Sequence, residues 1–219
     1  MARRLRDDLK EEKRIPFFDN LFQNLFELML ANILFVLCAI PVVTAGPAVV
    51  ALERVCCLIH REEKVPVFRV FFQTFGRFFG RGLFLSFVVL PLFLIAGLGV
   101  FLFYTEGRIA QMAACMVMFL LGSGLLQYLA PLISVTDLTF DKQLKNAFLL
   151  LFVSIGRTLL GALVSLCVAV LVLWQPKMMT ALCILILPAV HSYIRSFLAM
   201  QTAQKYIFDP FYKNTDPEA

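Results

Sequence analysis

Long apolar stretches separated by short charged segments make up most of this sequence. Four such stretches are Leu21 to Ala45, Leu83 to Tyr104, Ile109 to Ile133 and Ala147 to Leu173. A fifth, Met178 to Met200, is apolar apart from His191 and Arg195. A helix needs roughly 20 apolar residues to cross a hydrocarbon core of about 30 Å. The pattern therefore predicts an all-α fold, a polytopic transmembrane helical bundle.

The composition agrees with a membrane environment. Hydrophobic residues make up 60% of the 219 residues, charged residues only 16%, and the mean hydropathy is +0.83. Soluble domains are closer to half apolar and a quarter charged. The charged segment before the first stretch is too long for the start of a secretory signal, so we expect that stretch to remain in the membrane.

Basic residues indicate how the helices are oriented, because Lys and Arg in short loops are retained in the cytoplasm. Six of them precede the first stretch, and five lie between His60 and Gly82. Both segments are therefore predicted to be cytoplasmic. The chain between them, residues 17–60, has to enter the membrane and return on the same side.

Turn-forming residues near the middle of 17–60 predict a hairpin. Pro41 and the sequence Thr44-Ala45-Gly46-Pro47 interrupt the apolar run, and Pro47 is well placed to begin a helix. The second arm, Pro47 to Ile59, is short and contains Glu53 and Arg54. It is either a tilted crossing or a re-entrant half-span.

The remaining segments complete three hairpins with five to six membrane helices in a single membrane domain, 1–219. The predicted parts are a charged N-terminal segment 1–16, the first hairpin 17–60, an amphipathic interfacial helix 66–82, the second hairpin 83–133, an interfacial stretch with the third hairpin 141–200, and a tail 201–219. Fifteen of the twenty basic residues then lie on the cytoplasmic side. This predicts a multi-pass protein of a bacterial cytoplasmic (inner) membrane with both termini cytoplasmic.

The segment from Val67 to Arg81 is typical of an amphipathic helix. Phenylalanines recur at helical spacing, while basic and polar residues recur every four positions on another stripe. Such a helix lies in the headgroup plane, with arginines on anionic lipid headgroups. The alternative is a docking surface for a cytoplasmic partner, with Gly76-x-x-x-Gly80 allowing close helix approach. The residues expected to take part are Phe68, Arg69, Phe72, Gly76, Arg77 and Arg81.

Part of this helix recurs eighty residues later in the sequence. The matching pairs are Phe68 and Phe148, Phe72 and Phe152, Thr74 and Ser154, Gly76 and Gly156, and Arg77 and Arg157. Phe17-Phe18, with Phe22 and Phe26, forms a third, divergent copy. The pattern predicts three units, each an interfacial helix followed by a hairpin.

Ionisable residues within apolar stretches are costly in a membrane, so each should face the bundle interior, a partner or water. The binding candidates are Glu53, Arg54, Arg157, His191 and Arg195. In one interpretation Glu53 or Glu27 neutralises an arginine and fixes the packing. In the other, these residues line a polar cavity on the cytoplasmic half.

No motif for catalysis, metal binding or a cofactor is found in the sequence, and we predict that the protein is not an enzyme. The six cysteines include no C-x-x-C pair, and the histidines are too few for a cluster. Gly122-Ser123-Gly124 with His191 leaves a remote alternative, an intramembrane serine hydrolase using Ser123 and His191. No nucleic acid is expected as a partner, since the phenylalanines belong to a membrane-adjacent face.

The sequence Leu37-Cys38-Ala39-Ile40-Pro41-Val42-Val43-Thr44-Ala45-Gly46-Pro47-Ala48 resembles the YesL-like family of small bacterial integral membrane proteins of unknown function. The likeness extends to the Phe-rich linker and to the last helix with Pro188, whereas Glu53-Arg54 departs from the apolar residues usual there. Members of that family look like genomic neighbours of carbohydrate uptake permeases, glycan-degrading enzymes and sensor kinases. The resemblance implies a non-catalytic accessory or regulatory role in carbohydrate uptake or utilisation, with a permease or sensor kinase as partner. The alternative function is a self-sufficient small-solute transporter or channel.

Overall fold

A computed structural model describes residues 21–60, 65–174 and 177–208, with the side chains of 169–186 and 207–208 left undescribed. Every regular element in these ranges is helical, which confirms the all-α prediction. The helices are α1 (Leu25–Ala39), α2 (Ala45–Ile59), α3 (Val67–Arg77), α4 (Phe79–Thr105), α5 (Ile109–Val135), α6 (Phe140–Val153), α7 (Ile155–Trp174) and α8 (Lys177–Ala203). A 3₁₀ turn, Val42–Thr44, joins α1 to α2, and π-helical turns occur at Leu85–Val89 inside α4 and at Gln204–Phe208 after α8.

Three helical segments are long and apolar enough to cross a membrane: Val42–Ile59, α4 and α5. A fourth is added if α6 and the first part of α7, which are bent by 95° at their junction, count as one span. At 15 residues, α1 is shorter than a full crossing. The count in the described residues is thus below the predicted five to six. Much of α8, which contains the fifth predicted stretch, lies where side chains are not described.

Helix α2 is the centre of the bundle. It packs against α1, α3, the first turns of α4, α5 and α8, and Ala48, Val50, Ala51 and Val55 are completely buried. A short helix that is buried on nearly every side needs small or β-branched residues facing its neighbours, and this sequence supplies them. The short second arm of the predicted hairpin, Pro47 to Ile59, is therefore enclosed by the other helices of the bundle.

The turn between α1 and α2 packs directly onto the start of α4. Gly46 N donates a hydrogen bond to Ser86 Oγ at 2.7 Å, and Ser86 Oγ donates to Val43 O at 2.8 Å. A Cβ on Gly82 would lie 2.6 Å from Pro47 Cα, so only glycine fits there. Gly46 is as tightly enclosed, by Gly82 O and Ser86. Two glycines thus allow two backbones to cross in direct contact.

The tip of this hairpin is apolar and exposed. Ile40 and Val42 are 73% and 78% exposed, while Thr44 Oγ1 lies 2.6 Å from Cys38 O and 2.8 Å from Pro41 O. The turn therefore meets much of its hydrogen-bonding need within the protein, as a turn in hydrocarbon must. Ser86 is near the start of α4, and Thr105 follows it 19 positions later, which at about 1.5 Å per residue places the end of α4 about 28 Å beyond the tip.

Three short interruptions divide the chain into similar units. Asn24, Phe78 and Ser154 each leave helical geometry, with φ of −106°, −107° and −120°, and an apolar helix follows each of them. The units that begin with α3 and α6 each consist of a first helix and an apolar hairpin. The residues expected to form the corresponding helix before Asn24 lie largely outside the described residues. The sequence register was wrong, however, because Gly76 and Arg77 precede their break, whereas Gly156 and Arg157 follow theirs. Phe17 and Phe18, of the third copy, lie outside the described residues.

Candidate functional site

The first buried polar centre is an ion pair between α2 and α8. Arg195 Nη2 lies 4.0 Å from Glu53 Oε1, and both side chains are almost fully buried. The pairing brings together two of the predicted site residues and supports the interpretation that Glu53 neutralises an arginine. An uncompensated charge at this depth would be costly, so the pair fixes α8 against the central helix.

Buried polar atoms that make no hydrogen bond lie at and beside the ion pair. Both carboxylate oxygens of Glu53, Nε and Nη2 of Arg195, and Ser192 Oγ are buried without a hydrogen-bond partner in the described part of the chain. Just past the end of α2, His60 Nε2 lies 3.1 Å from both Tyr193 O and Ser196 Oγ, and its ring lies tilted against Tyr193. Ser196 Oγ in turn donates to Tyr193 O of its own helix at 3.0 Å.

Arg54 faces a different part of the molecule from its neighbour Glu53. It lines a cavity of about 160 Å³ at the junction of α2, α3 and the end of α5. The other residues that line the cavity are Leu58, Val70, Gln73, Thr74, Arg77, Phe78 and Ser134. Arg54 makes no hydrogen bond or ion pair within the residues described. A polar cavity thus exists on the side of the basic helix α3, but of the five predicted binding residues only Arg54 reaches it.

Arg157 occupies a third position, near the start of α7. Its Nη1 donates to Thr202 Oγ1 on α8 at 3.0 Å, and its carbonyl accepts a hydrogen bond from Gln127 Nε2 at 3.3 Å. Thr202 is one residue before the end of α8. Arg157 therefore lies level with the end of α8.

His191 and Ser123 have separate partners. His191 Nε2 lies 2.8 Å from Ser165 Oγ on α7, while Ser123 Oγ donates to Leu120 O of its own helix. The pair expected of a Ser123–His191 hydrolase is therefore not formed. A Cβ at Gly122 would lie 3.2 Å from Phe93 Cα, so the small residues around Ser123 serve close packing of α4 on α5.

Helix α3 presents three faces. Phe71 and, just after the helix, Phe78 are buried against the bundle, because α3 packs along α2, so these two phenylalanines do not belong to the membrane-adjacent face expected for this segment. The exposed aromatic residues are Phe68, Phe72 and Phe79. A Cβ added to Gly76, or to Gly80 in the first turn of α4, would meet nothing within 4 Å, so neither glycine is needed for a helix contact within the described residues.

The arginines of the predicted amphipathic helix have separate surroundings, and the break at Phe78 places Arg81 in the first turn of α4 rather than in α3. Arg77 Nη2 donates to Asp137 Oδ1 at 2.7 Å, with both side chains largely exposed. Arg81 Nη1 donates to Gln143 Oε1 at 3.3 Å and lies over the ring of Phe78. Arg69 is exposed. The polar stripe predicted from the sequence therefore faces away from the core, with Arg77 at the edge of the cavity.

Sequence reasoning missed several polar side chains. Ser165, the partner of His191, and Ser86, which links Gly46 N to Val43 O, were not proposed, and neither was His60. On α8, polar residues recur at positions 192, 195, 196 and 202, which is a helical stripe in an otherwise apolar segment. That spacing was a usable signal for a buried polar face.

Comparison with protein-family models gives a match to part of this chain. Neither the curated proteins nor the solved structures give a match. Residues 28–103, which extend from α1 through most of α4, match a family model described as "Protein of unknown function, DUF624". The match includes the turn motif, the glycine contact with α4 and the whole of α3, so the N-terminal part of the chain is similar to a family whose function is unknown.

Proposed function

We propose that this protein is a YesL-like accessory or regulatory component of carbohydrate uptake or utilisation in a bacterial cytoplasmic membrane, without catalytic activity. The family match is consistent with the YesL-like resemblance of the turn motif. The buried charges Glu53 and Arg195 neutralise each other, which suits a structural role. A permease or a sensor kinase is the proposed partner.

The observation that carries the proposal is the surface of α3. Exposed aromatic and basic residues of α3 and of the first turn of α4 lie close in sequence to Gly76 and Gly80, where an added Cβ would meet nothing within 4 Å in the described residues. Lipid headgroups and a partner helix would both use the aromatic and basic residues. The open glycine pair, by contrast, favours a helix that packs closely against it.

The proposed topology places both termini and α3 on the cytoplasmic side, as the distribution of Lys and Arg favours. The α1–α2 hairpin is then re-entrant, because its apolar tip reaches only the level of Ser86 in α4. The turn between α4 and α5 lies on the opposite side. This topology presents α3 to cytoplasmic domains of a transporter or sensor.

The test is co-purification of the tagged full-length protein from its own host grown on a panel of glycans. We expect a carbohydrate permease or sensor to be recovered with the wild type and to be lost with Gly76→Leu. Gly156→Leu is the matched control, since Gly156 also has open space around it but lies outside α3. Recovery of no transporter component on any sugar would count against the proposal.

A second candidate, the self-sufficient transporter, is favoured by the cavity beside Arg54. If the chain transports a small solute alone, purified protein in liposomes should show flux that depends on its polar residues. Alanine substitutions at Glu53, Arg54, His191 and Arg195 would then reduce the flux. Flux that is unaffected by all four substitutions would remove this candidate.

A further inference from the structure

The cavity beside Arg54 has the composition of an anion site. Two guanidinium groups, Arg54 and Arg77, line a volume of about 160 Å³ together with Gln73 and Thr74. Arginine, amide and hydroxyl groups are hydrogen-bond donors suited to oxyanions, and arginine binds phosphate oxygens in a fork geometry. Ser134 also lines the cavity, but its hydroxyl donates to Pro131 O.

Of the two arginines that line the cavity, only Arg77 has an ion-pair partner in the described residues. Glu53, next in sequence to Arg54, pairs with Arg195 in the separate buried centre. Asp137 pairs with Arg77, and its side chain is 83% exposed. Arg54 is half-buried and has no ion-pair partner within the described residues. A cation in this position is stabilised by a counter-ion, because burial removes part of its hydration.

We infer that this cavity binds a phosphate group, held between the guanidinium groups of Arg54 and Arg77. A volume of about 160 Å³ is below the roughly 300 Å³ at which sites for drug-sized ligands begin. The site therefore takes the charged group itself rather than a whole glycan. The group belongs either to a soluble phosphate compound or to the headgroup of an anionic lipid, since α3 is an amphipathic helix.

Binding of inorganic phosphate tests the soluble source. Full-length protein in nanodiscs of phosphatidylcholine would be dialysed to equilibrium against radiolabelled phosphate at constant ionic strength. Arg54→Gln and Arg77→Gln should each weaken binding about tenfold or more, because each removes a charged hydrogen-bond donor. Arg69→Gln is the matched control, since Arg69 is an exposed arginine of α3 that does not line the cavity.

Native mass spectrometry tests the lipid source. Protein extracted from nanodiscs containing both phosphatidylglycerol and phosphatidylcholine should retain phosphatidylglycerol in the wild type and in Arg69→Gln, and should lose it in Arg54→Gln. Either pattern, with phosphate or with lipid, supports the site and identifies the source. If neither anion is bound, or if Arg69→Gln reduces binding as much as Arg54→Gln does, the site is disproved.

Asp137→Asn gives a test that does not depend on disturbing the packing. Asp137 is an exposed carboxylate that competes for Arg77, so its neutralisation should strengthen binding of the same anion severalfold. Unfolding temperatures of all variants would be measured in parallel. Weaker binding by a well-folded Asp137→Asn protein would overturn the assignment of Arg77 to the site.

Discussion

At the residue scale, glycine and serine decide how the first hairpin meets α4. The side-chain hydroxyl of Ser86 links Gly46 N and Val43 O, and Gly82 lets the chain at Pro47 approach its backbone. The sequence identified Gly46 as part of a turn, but it gave no indication of Gly82. A close contact between residues 36 positions apart depends on the tertiary fold, which a local pattern does not contain.

We predict that Gly82→Ala destabilises the protein by about 1–3 kcal/mol, the cost of overpacking. The added Cβ would meet backbone atoms of Pro47, which cannot rotate away. Gly80→Ala is the control, because it has open space and alanine favours helix. Thermal unfolding in detergent would measure both. Equal stability of the two variants would contradict the crossing described for Gly82.

The buried ion pair leads to a second prediction at this scale. Arg195→Met or Glu53→Gln alone leaves a buried group without its partner and should cost about 3–5 kcal/mol. The double variant should be less destabilised than the sum of the two, which a double-mutant cycle would measure. Additive effects would mean that Glu53 and Arg195 do not interact.

At the scale of the elements, the apolar pattern predicted which segments form amphipathic or apolar helices, but not which side chains those helices bring into contact. The α3 helix, the α4–α5 hairpin and the break near Pro41 follow from periodicity and turn residues. The rotation of each helix about its axis determines which face of α3 is buried. It also determines that His191 contacts Ser165 rather than Ser123. Several faces of these helices are apolar enough to be buried, so the sequence alone does not determine which face packs against the bundle.

The joint between α6 and α7 gives an element-scale prediction. Tyr128 Oη lies 2.9 Å from Ser154 Oγ, which itself donates to Leu150 O. Tyr128→Phe should therefore cost only about 0.5–1.5 kcal/mol, because the Tyr128 hydroxyl donates a single hydrogen, and both Ser154 and Thr158, whose Oγ1 lies 3.3 Å away, keep a carbonyl acceptor. Tyr104→Phe, at a residue 73% exposed, is the control and should have no effect on the unfolding temperature. A loss of several kcal/mol in Tyr128→Phe would show that this hydroxyl has a larger role at the bend.

At the scale of the whole molecule, the elements differ in how far they extend. The α4 and α5 helices are 27 residues each, whereas α1 and α2 are 15 residues each and turn back beside Ser86. Charge counting predicted that the first hairpin returns to its starting side, and the packing explains how it can do so without a full crossing. The depth of the tip could not be read from the sequence, since it depends on the contact between Gly46 and α4.

The most direct test of this account is the accessibility of the hairpin tip in intact cells. In a variant without native cysteines, Val42→Cys and Glu106→Cys would be treated from outside with a membrane-impermeant maleimide. We predict that position 106, in the α4–α5 turn, is labelled and that position 42 is not, because the tip lies about 28 Å short of that end of α4. Labelling of position 42 as readily as position 106 would contradict the re-entrant hairpin and the topology built on it.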